Sequence, residues 1–220
     1  MSETDSFINE VTEEVRRDRL YGMMKRYGWI AVLAVILLVG GAAWVEYTRA
    51  RDAAAAQATG DAVLSALEQN DPADRAAALA AIERDGAAAS IVALLTAATQ
   101  AEADDAAAAT QTLQDLATDG DVPQIYRDLA AFKAAVIGGD MDDAARRQTF
   151  ESLAAPGQPF SLLAQEQLAL LDLAAGDRDV GVAKLTAIIQ DAGTTRGLRD
   201  RVQTLMVALG APLPDAIQSQ

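Results

Sequence analysis

The chain has 220 residues and a formal net charge of −14, and it contains neither cysteine nor histidine. This composition excludes a thiol nucleophile, a disulfide, an imidazole base and an ordinary zinc site. The acidic balance argues against a nucleic-acid partner, because phosphate binding needs a basic face.

The apolar residues predict an all-α protein without a cofactor. They make up 51 % of the chain and are largely alanine, which favours helices and buries little area per residue. Aromatic residues account for only 5 % of the chain, so we expect no large aromatic-lined cofactor pocket. No run of alternating β-branched residues predicts a strand.

Residues 1–26 are predicted to be a leader that contains a short amphipathic helix. Four apolar residues recur in it at helical spacing, separated by acids and arginines: Phe7, Ile8, Val11 and Val15. Such a helix would either dock on a membrane partner or lie on the bilayer surface, and the pattern leaves both interpretations open.

Residues 27–47 are predicted to be a transmembrane helix. Tyr27 to Val45 is a run of 19 uncharged residues. At ~1.5 Å per residue it spans about 28 Å, close to the hydrocarbon thickness of a bilayer. Aromatic residues typical of the membrane interface flank it on both sides: Tyr27, Trp29, Trp44 and Tyr47. The alternative is the buried core helix of a soluble protein.

Basic residues predict the orientation of this helix. Five of them precede it, namely Arg16, Arg17, Arg19, Lys25 and Arg26. Only Arg49 and Arg51 follow it within twenty residues. The asymmetry predicts a single-pass protein of the bacterial inner membrane, with a cytoplasmic N-terminus and a periplasmic C-terminal domain.

A cleaved signal peptide is the alternative to an uncleaved anchor. Gly41-Ala42-Ala43 is similar to a small-residue cleavage site. Two features favour the anchor: the leader is long and carries six acidic residues, and the bulky Trp44 would directly follow the cut.

Residues 48–220 are predicted to form a helical domain, whose first helix continues the membrane helix outward to Gln69. Asp71 is predicted to cap the next helix, with Pro72 at its first position. Turn signals predict breaks at these places: Asn70-Asp71-Pro72, Asp85-Gly86, Asp119-Gly120-Asp121, Gly138-Gly139, Pro156-Gly157, Gly176-Asp177, Gly193 and Gly210.

Four turns recur at nearly equal spacing. Each pairs a turn residue with an aspartate predicted to cap the second helix of a hairpin: Asn70-Asp71, Ala103-Asp104, Gly139-Asp140 and Gly176-Asp177. The spacings of 33, 36 and 37 residues are close to the period of about 34 of tetratricopeptide repeats. They predict a tetratricopeptide-like solenoid of helical hairpins, with an irregular helical bundle of accidental spacing as the alternative.

Small and apolar residues fit such hairpins. Four residues after the aspartates stand Arg75, Ala108, Ala144 and Gly181, of which three are small enough for close packing. Two apolar faces recur at helical spacing: Ile125, Leu129, Phe132 and Val136, and then Leu198, Val202, Leu205 and Leu209. The second is predicted to belong to a closing helix that covers the last repeat.

The leader Ser6-Phe-Ile-Asn-Glu-Val-Thr-Glu-Glu-Val-Arg-Arg-Asp18 and the membrane entry Tyr27-Gly28-Trp29 resemble the ancillary Sec translocon subunit family. The resemblance implies an inner-membrane protein with a periplasmic tetratricopeptide-like domain. It also implies association with the Sec translocon and with periplasmic chaperones that handle emerging polypeptides, and it carries over no catalytic residue. The chain departs from the repeat pattern at Gln165, where an aromatic is usual, and only Pro156 stands where a proline belongs.

The chain carries no convincing catalytic or metal-binding motif. The paired acids Asp104-Asp105 and Asp142-Asp143 are predicted to be helix caps and solvated surface. Asp177-Arg-Asp179 lacks the further ligands and the twelfth-position glutamate of an EF-hand. We therefore expect a non-enzymatic membrane-anchored adaptor that binds an integral membrane complex, a periplasmic chaperone or an exported polypeptide. The alternative is a structural accessory subunit of another inner-membrane complex, such as a division, respiratory or secretion assembly.

Overall fold

The structure is a computed structural model that describes residues 3–82 and 87–214, with side chains for 24–30, 32–82 and 88–214. These residues form helices and no strand, which confirms the all-α prediction. The helices are α1 (Glu3–Leu67), α2 (Pro72–Ala80), α3 (Ala87–Glu102), α4 (Ala106–Thr118), α5 (Gln124–Ile137), α6 (Asp143–Leu153), α7 (Ser161–Ala174), α8 (Arg178–Gln190) and α9 (Arg196–Ala208).

The chain divides into two compact units within α1, the first ending at Ala58 and the second beginning at Thr59. In the first unit the predicted leader and the predicted span belong to one continuous helix. The apolar leader side chains from Phe7 to Val15 lie outside the described side chains. We call the second unit, from Thr59 onward, the helical unit.

The start of α2 follows the sequence prediction. Asp71 is its N-cap, and Oδ1 of Asp71 accepts hydrogen bonds from the backbone N–H groups of Ala73 at 2.8 Å and Asp74 at 3.3 Å. Pro72, which has no N–H to leave unsatisfied, occupies the first helical turn. The cap therefore satisfies amide groups that the helix itself cannot pair.

The predicted caps of the later helices are wrong by one or two residues. Asp105, not Asp104, caps α4 by accepting from the N–H of Ala108 at 3.0 Å. Asp142, not Asp140, caps α6. The reason is the turn that precedes each helix: Asp104 before α4, with a φ of 60°, and Gly138 and Gly139 before α6 are left-handed, and the cap comes after them. Asp177 does hold the N-cap position of α8, but its side chain makes no capping hydrogen bond.

The other predicted breaks fall between helices or after the last one. Asp85-Gly86 lies outside the described residues. The confirmed breaks are Asp119-Gly120-Asp121, Gly138-Gly139, Pro156-Gly157, Gly176-Asp177, Gly193 and Gly210.

Helices of the helical unit pack against their neighbours in the chain. From α2 to α9 each helix contacts the next, and α3 also contacts α5. Three core clusters follow the same order: one joins α3, α4 and α5, the second joins α5, α6 and α7, and the third joins α7, α8 and α9. Each cluster contains fully buried alanines, namely Ala97, Ala109, Ala130, Ala135, Ala164 and Ala169.

The buried face of α5 differs from the predicted one. Its alanines, Ala130, Ala134 and Ala135, are buried against the neighbouring helices. The predicted apolar face is buried only in part: Leu129 and Phe132 are half-buried, whereas Ile125 at one end is 46 % exposed and Val136 at the other is 42 % exposed. The expectation was wrong for these two ends because alanine, which brings helix axes close together, takes the core side of this helix.

The closing face of α9 follows the prediction. Leu198 and Val202 are buried, and Leu205 and Leu209 pack against the same cluster from partly exposed positions. Met206, which the sequence analysis had not included, is fully buried among them. These residues cover the α7–α8 pair, as expected of a terminal helix with one apolar side.

Gly181 is the predicted small residue at which two helices come closest. A Cβ atom at this position of α8 would lie 2.7 Å from Cγ of Leu173 and 3.0 Å from the carbonyl oxygen of Ala169, both on α7. Real Cβ atoms do not approach that closely. Ala108 is only half-buried and Ala144 is exposed, so the close approach predicted for every hairpin is strongest at α7–α8.

We expect Gly181→Ala to lower the free energy of unfolding of the helical unit by about 1–2 kcal/mol. The methyl group would have to displace Leu173, and overpacking of this kind outweighs the gain in helix propensity. Gly197→Ala in α9 is the matched control, because nothing lies within 4 Å of its Cβ position. Urea unfolding followed by circular dichroism should show a loss for the first variant and none for the second. Equal effects would contradict the close α7–α8 contact.

Candidate membrane segment and interaction surfaces

Helix α1 contains the candidate membrane segment. From Met24 to Leu67 it is long and apolar enough to cross a membrane, judged by length and composition. None of its most apolar window is buried against the rest of the described chain. The core helix of a soluble protein would be mostly buried, so the exposed side chains count against that alternative.

The four predicted interface residues are all exposed in the structure, namely Tyr27, Trp29, Trp44 and Tyr47. Along the helix axis Tyr27 and Tyr47 are separated by ~30 Å at 1.5 Å per residue. This separation matches the hydrocarbon thickness, so each end of the segment would place an aromatic ring near the headgroups.

Of the residues that predict the orientation, Lys25 and Arg26 are exposed on α1. The side chains of Arg16, Arg17 and Arg19 lie outside the described side chains. The orientation of the segment stays a prediction from the charge asymmetry.

A buried ion-pair network centred on Asp172 connects three helices. The carboxylate lies on α7 with 5 % of its side chain exposed. Nη1 of Arg147 on α6 approaches one carboxylate oxygen at 2.8 Å, and Nζ of Lys184 on α8 bonds the other. Because both oxygens are bonded to cations, one acidic side chain ties α6, α7 and α8 together.

Two opposing effects act on the pKa of Asp172. Burial raises it, because the charged form loses hydration. The hydrogen bonds from Lys184 and then from Arg147, together with their charges, lower it by more. The pKa lies below its ordinary value, so the carboxylate is ionised at neutral pH.

A second buried carboxylate on the same helix links α7 to α9. Glu166 has 5 % of its side chain exposed, and its two oxygens accept from Nε and Nη2 of Arg201, each at 2.6 Å. The hydrogen bond to Glu166 raises the pKa of Arg201 more than burial lowers it. This two-point contact fixes the orientation of both side chains.

Sequence patterns did not predict either ion-pair contact. One signal was present: α7 contains only two charged residues, Glu166 and Asp172, and both interrupt an otherwise apolar and alanine-rich helix. Lys184 and Arg147 are 12 and 25 residues from Asp172, and Arg201 is 35 residues from Glu166. None of these separations places the partners on one helix, so no local spacing identifies them.

The carboxylates of Glu166 and Asp172 have a structural role. Each carboxylate is engaged by a cation of a neighbouring helix. The exposed acid pairs act as predicted in part: Asp105 and Asp142 are helix caps, and Asp143 pairs with Arg146 at 3.2 Å. Among the described residues no group of three or more potential ligands could hold a metal ion.

Two open clefts lie in the helical unit. One of about 320 Å³ lies between α4 and the start of α6, and the other of about 280 Å³ lies between α3 and α4. Alanine, threonine, glutamine and aspartate make up most of their walls, with one methionine in the first and a leucine and a valine in the second. Small-molecule sites have more aromatic and apolar walls, so neither cleft has the character of one.

We expect Asp172→Asn to lower the free energy of unfolding by up to about 3 kcal/mol. The change leaves Arg147 and Lys184 without their anion, and the loss is limited because both cations are about one-third exposed. Asp143→Asn is the control: this side chain is 86 % exposed, and its ion pair should contribute less than about 1 kcal/mol. Equal losses in denaturant titrations would contradict the role of Asp172.

The same variant has an expected pH signature. Because the pKa of Asp172 is lowered in the folded state, its stabilisation is fully present above the ordinary value of 3.8 and disappears as the pH falls through the lower folded-state value. The difference between wild type and Asp172→Asn should therefore shrink below that pH. A difference that stays constant through this range would show that the charge of Asp172 is not what stabilises the fold.

No protein-family model, no curated protein and no solved structure matches this chain. The resemblance of the leader to the ancillary Sec translocon subunit family, and the partners that it implies, therefore stay predictions.

Proposed function

We propose that the protein is a non-enzymatic, membrane-anchored scaffold of the bacterial inner membrane. The observation that carries the proposal is the fully exposed apolar stretch of α1, bounded on both sides by aromatic residues. Exposing this much apolar surface to water is unfavourable, and a bilayer matches both the length of the stretch and the aromatic residues at its ends.

In this proposal the N-terminus is cytoplasmic and the helical unit is periplasmic. The excess of basic residues before the span supports this orientation, since positively charged flanks are retained in the cytoplasm.

The scaffold acts by confining a binding domain to the membrane. Anchoring turns a weak encounter with a membrane complex into an effectively intramolecular one, with local concentrations of the order of millimolar. Contacts that are individually weak then suffice, and they can be released quickly, which suits the handling of chains in transit.

The Sec translocon and periplasmic chaperones or exported polypeptides are the proposed partners. The leader from Ser6 to Asp18 and the Tyr27-Gly28-Trp29 entry support this choice through their resemblance to the ancillary Sec translocon subunits. A binding role also agrees with the helical unit, in which the buried carboxylates of Glu166 and Asp172 are engaged in ion pairs between helices.

Cysteine labelling tests the topology, because the chain has no cysteine of its own. We expect Gln190→Cys, at the exposed end of α8, to react with a membrane-impermeant maleimide in intact spheroplasts. Ser6→Cys should react only after lysis, and carbonate should not extract either variant from vesicles. Labelling of Ser6→Cys in intact spheroplasts would reverse the orientation, and carbonate extraction would rule out the anchor.

Photocrosslinking tests the partner. We expect a benzophenone side chain at Ile8, on the predicted apolar side of the leader, to form adducts with a translocon subunit that mass spectrometry identifies. Glu10, about 200° around the predicted helix at 100° per residue, is the matched control and should form few adducts. Adducts with a division, respiratory or other secretion complex would favour the structural-subunit alternative instead.

A further inference from the structure

Exposed large apolar side chains of the helical unit lie on several of its helices. On α3, α5 and α7 they are Ile91 (53 % exposed), Ile125, Val136 and Leu170 (37 %). Helices α8 and α9 carry one each, Val180 and Val207, and the part of α1 that belongs to the unit carries Leu64 and Leu67. The described side chains of α2, α4 and α6 include none.

Helix α5 carries two of these exposed side chains, one near each end. One side is the buried alanine face described above. The other is a row that we call the α5 stripe: Ile125, Leu129, Phe132 and Val136. Their spacing of four, three and four residues places them along one side of a helix. Ile125 and Val136 are exposed, and Leu129 and Phe132 between them are half-buried. Large apolar residues that share one partly exposed side of a helix are typical of a contact surface.

Aromatic contacts fix the middle of the α5 stripe. The ring of Phe132 stacks on Phe160, at the start of α7, with centroids 6.2 Å apart. It also meets the buried ring of Phe150 on α6 edge-on at 5.7 Å. The stripe is therefore anchored in the core at Phe132, while Ile125 and Val136 at its two ends stay exposed.

The turns on either side of α5 carry exposed acids, Asp119 and Asp121 before it and Asp140 after it, while α5 itself carries two basic residues, Arg127 and Lys133. Residues 102–143 contain ten acidic and two basic residues. Most cations of the helical unit are engaged within it: Arg147, Lys184 and Arg201 pair with buried carboxylates, and others bond backbone carbonyls, as Arg146 does to Ala135 and Arg199 to Ile189. Acids such as Asp115, Asp119 and Asp121 are exposed and form no ion pair.

We propose that the α5 stripe is the docking site for an amphipathic peptide segment that carries apolar side chains on one side and lysine or arginine on the other. The proposal deepens the scaffold function above, on which it rests, by naming the chemistry of the bound chain. The apolar side would cover Ile125 and Val136, and the basic side would meet the surrounding carboxylates.

Charge decides between this occupant and two others. A second copy of the chain would bring an equally acidic surface against the first, because each chain carries a net charge of −14. An anionic lipid surface would be repelled for the same reason. A basic amphipathic segment gains from both the apolar stripe and the acidic field.

Site-specific crosslinking in zwitterionic nanodiscs tests the proposal on the full chain. A benzophenone side chain is placed at Ile125 or at Val136, with Val207 on α9 as the control because it is more exposed, at 62 %. The probe is a labelled lysine–leucine amphipathic peptide of about 18 residues, five helical turns. Its glutamate–leucine analogue is the control peptide.

We expect the lysine peptide to form adducts from Ile125 and Val136, to form few from Val207, and to lose them at high salt. The glutamate peptide should form few from any position. The double variant Ile125→Ser, Val136→Ser should weaken peptide binding about tenfold in fluorescence anisotropy, while Val207→Ser leaves it unchanged.

Four results would overturn the proposal: equal adducts from Val207, equal adducts with the glutamate peptide, chain–chain adducts in the absence of peptide, or adducts with lipid. The second copy is the occupant in the third case and the bilayer in the fourth. Because this assay contains no translocon, its failure would leave the proposed partner untouched. Failure of the leader crosslink at Ile8 would in turn leave the docking site untouched.

Discussion

Small side chains bring the helices of the helical unit close together, and this contact governs much of what surrounds it. Ala97, Ala109, Ala130, Ala135, Ala164 and Ala169 have no exposed surface. Each methyl group buries little apolar area, so stability depends on how closely the helices approach and how many atoms then touch. At Gly181, where α8 meets α7, even a methyl group would not fit. The same core clusters also bury large side chains, among them Leu113, Phe150 and Ile188.

Alanine faces resemble one another, and so they specify the register of two helices only weakly. A helix with small side chains along one side loses little contact when it slides by one turn along its neighbour. The buried carboxylates of α7 remove this freedom, because Asp172 must meet Arg147 and Lys184 while Glu166 meets Arg201. Displacement of any of these helices would leave a buried charge unpaired, at a cost well above that of a shifted methyl contact. We therefore expect these ion pairs to disfavour shifted packings of the helices that they join.

Local features such as helix caps could be predicted from the sequence, whereas contacts between distant helices could not. The course of α1, the Asp71-Pro72 cap and the apolar side of α9 followed from spacing and residue type alone. The caps of α4 and α6 moved because cap position depends on which turn residue adopts a left-handed conformation, as Asp104 does. The face of α5 was assigned to its large residues, since hydrophobic periodicity does not show that alanine will occupy the core side. The partners of Glu166 and Asp172 depend on contacts between distant helices.

The membrane segment of α1 and the α5 stripe differ in how far their exposed apolar residues extend around the helix. This difference favours a different binding environment for each. Around the membrane segment of α1 the exposed apolar residues occur on every side of the helix, from Trp29 through Val39. Only a medium that surrounds the helix can cover such a surface, which supports the bilayer. The α5 stripe is exposed on one side only, is tied to the core through Phe132 and lies in a strongly acidic region. A bilayer would leave those carboxylates facing lipid headgroups without gain, whereas a single amphipathic segment can satisfy the stripe and the charge together.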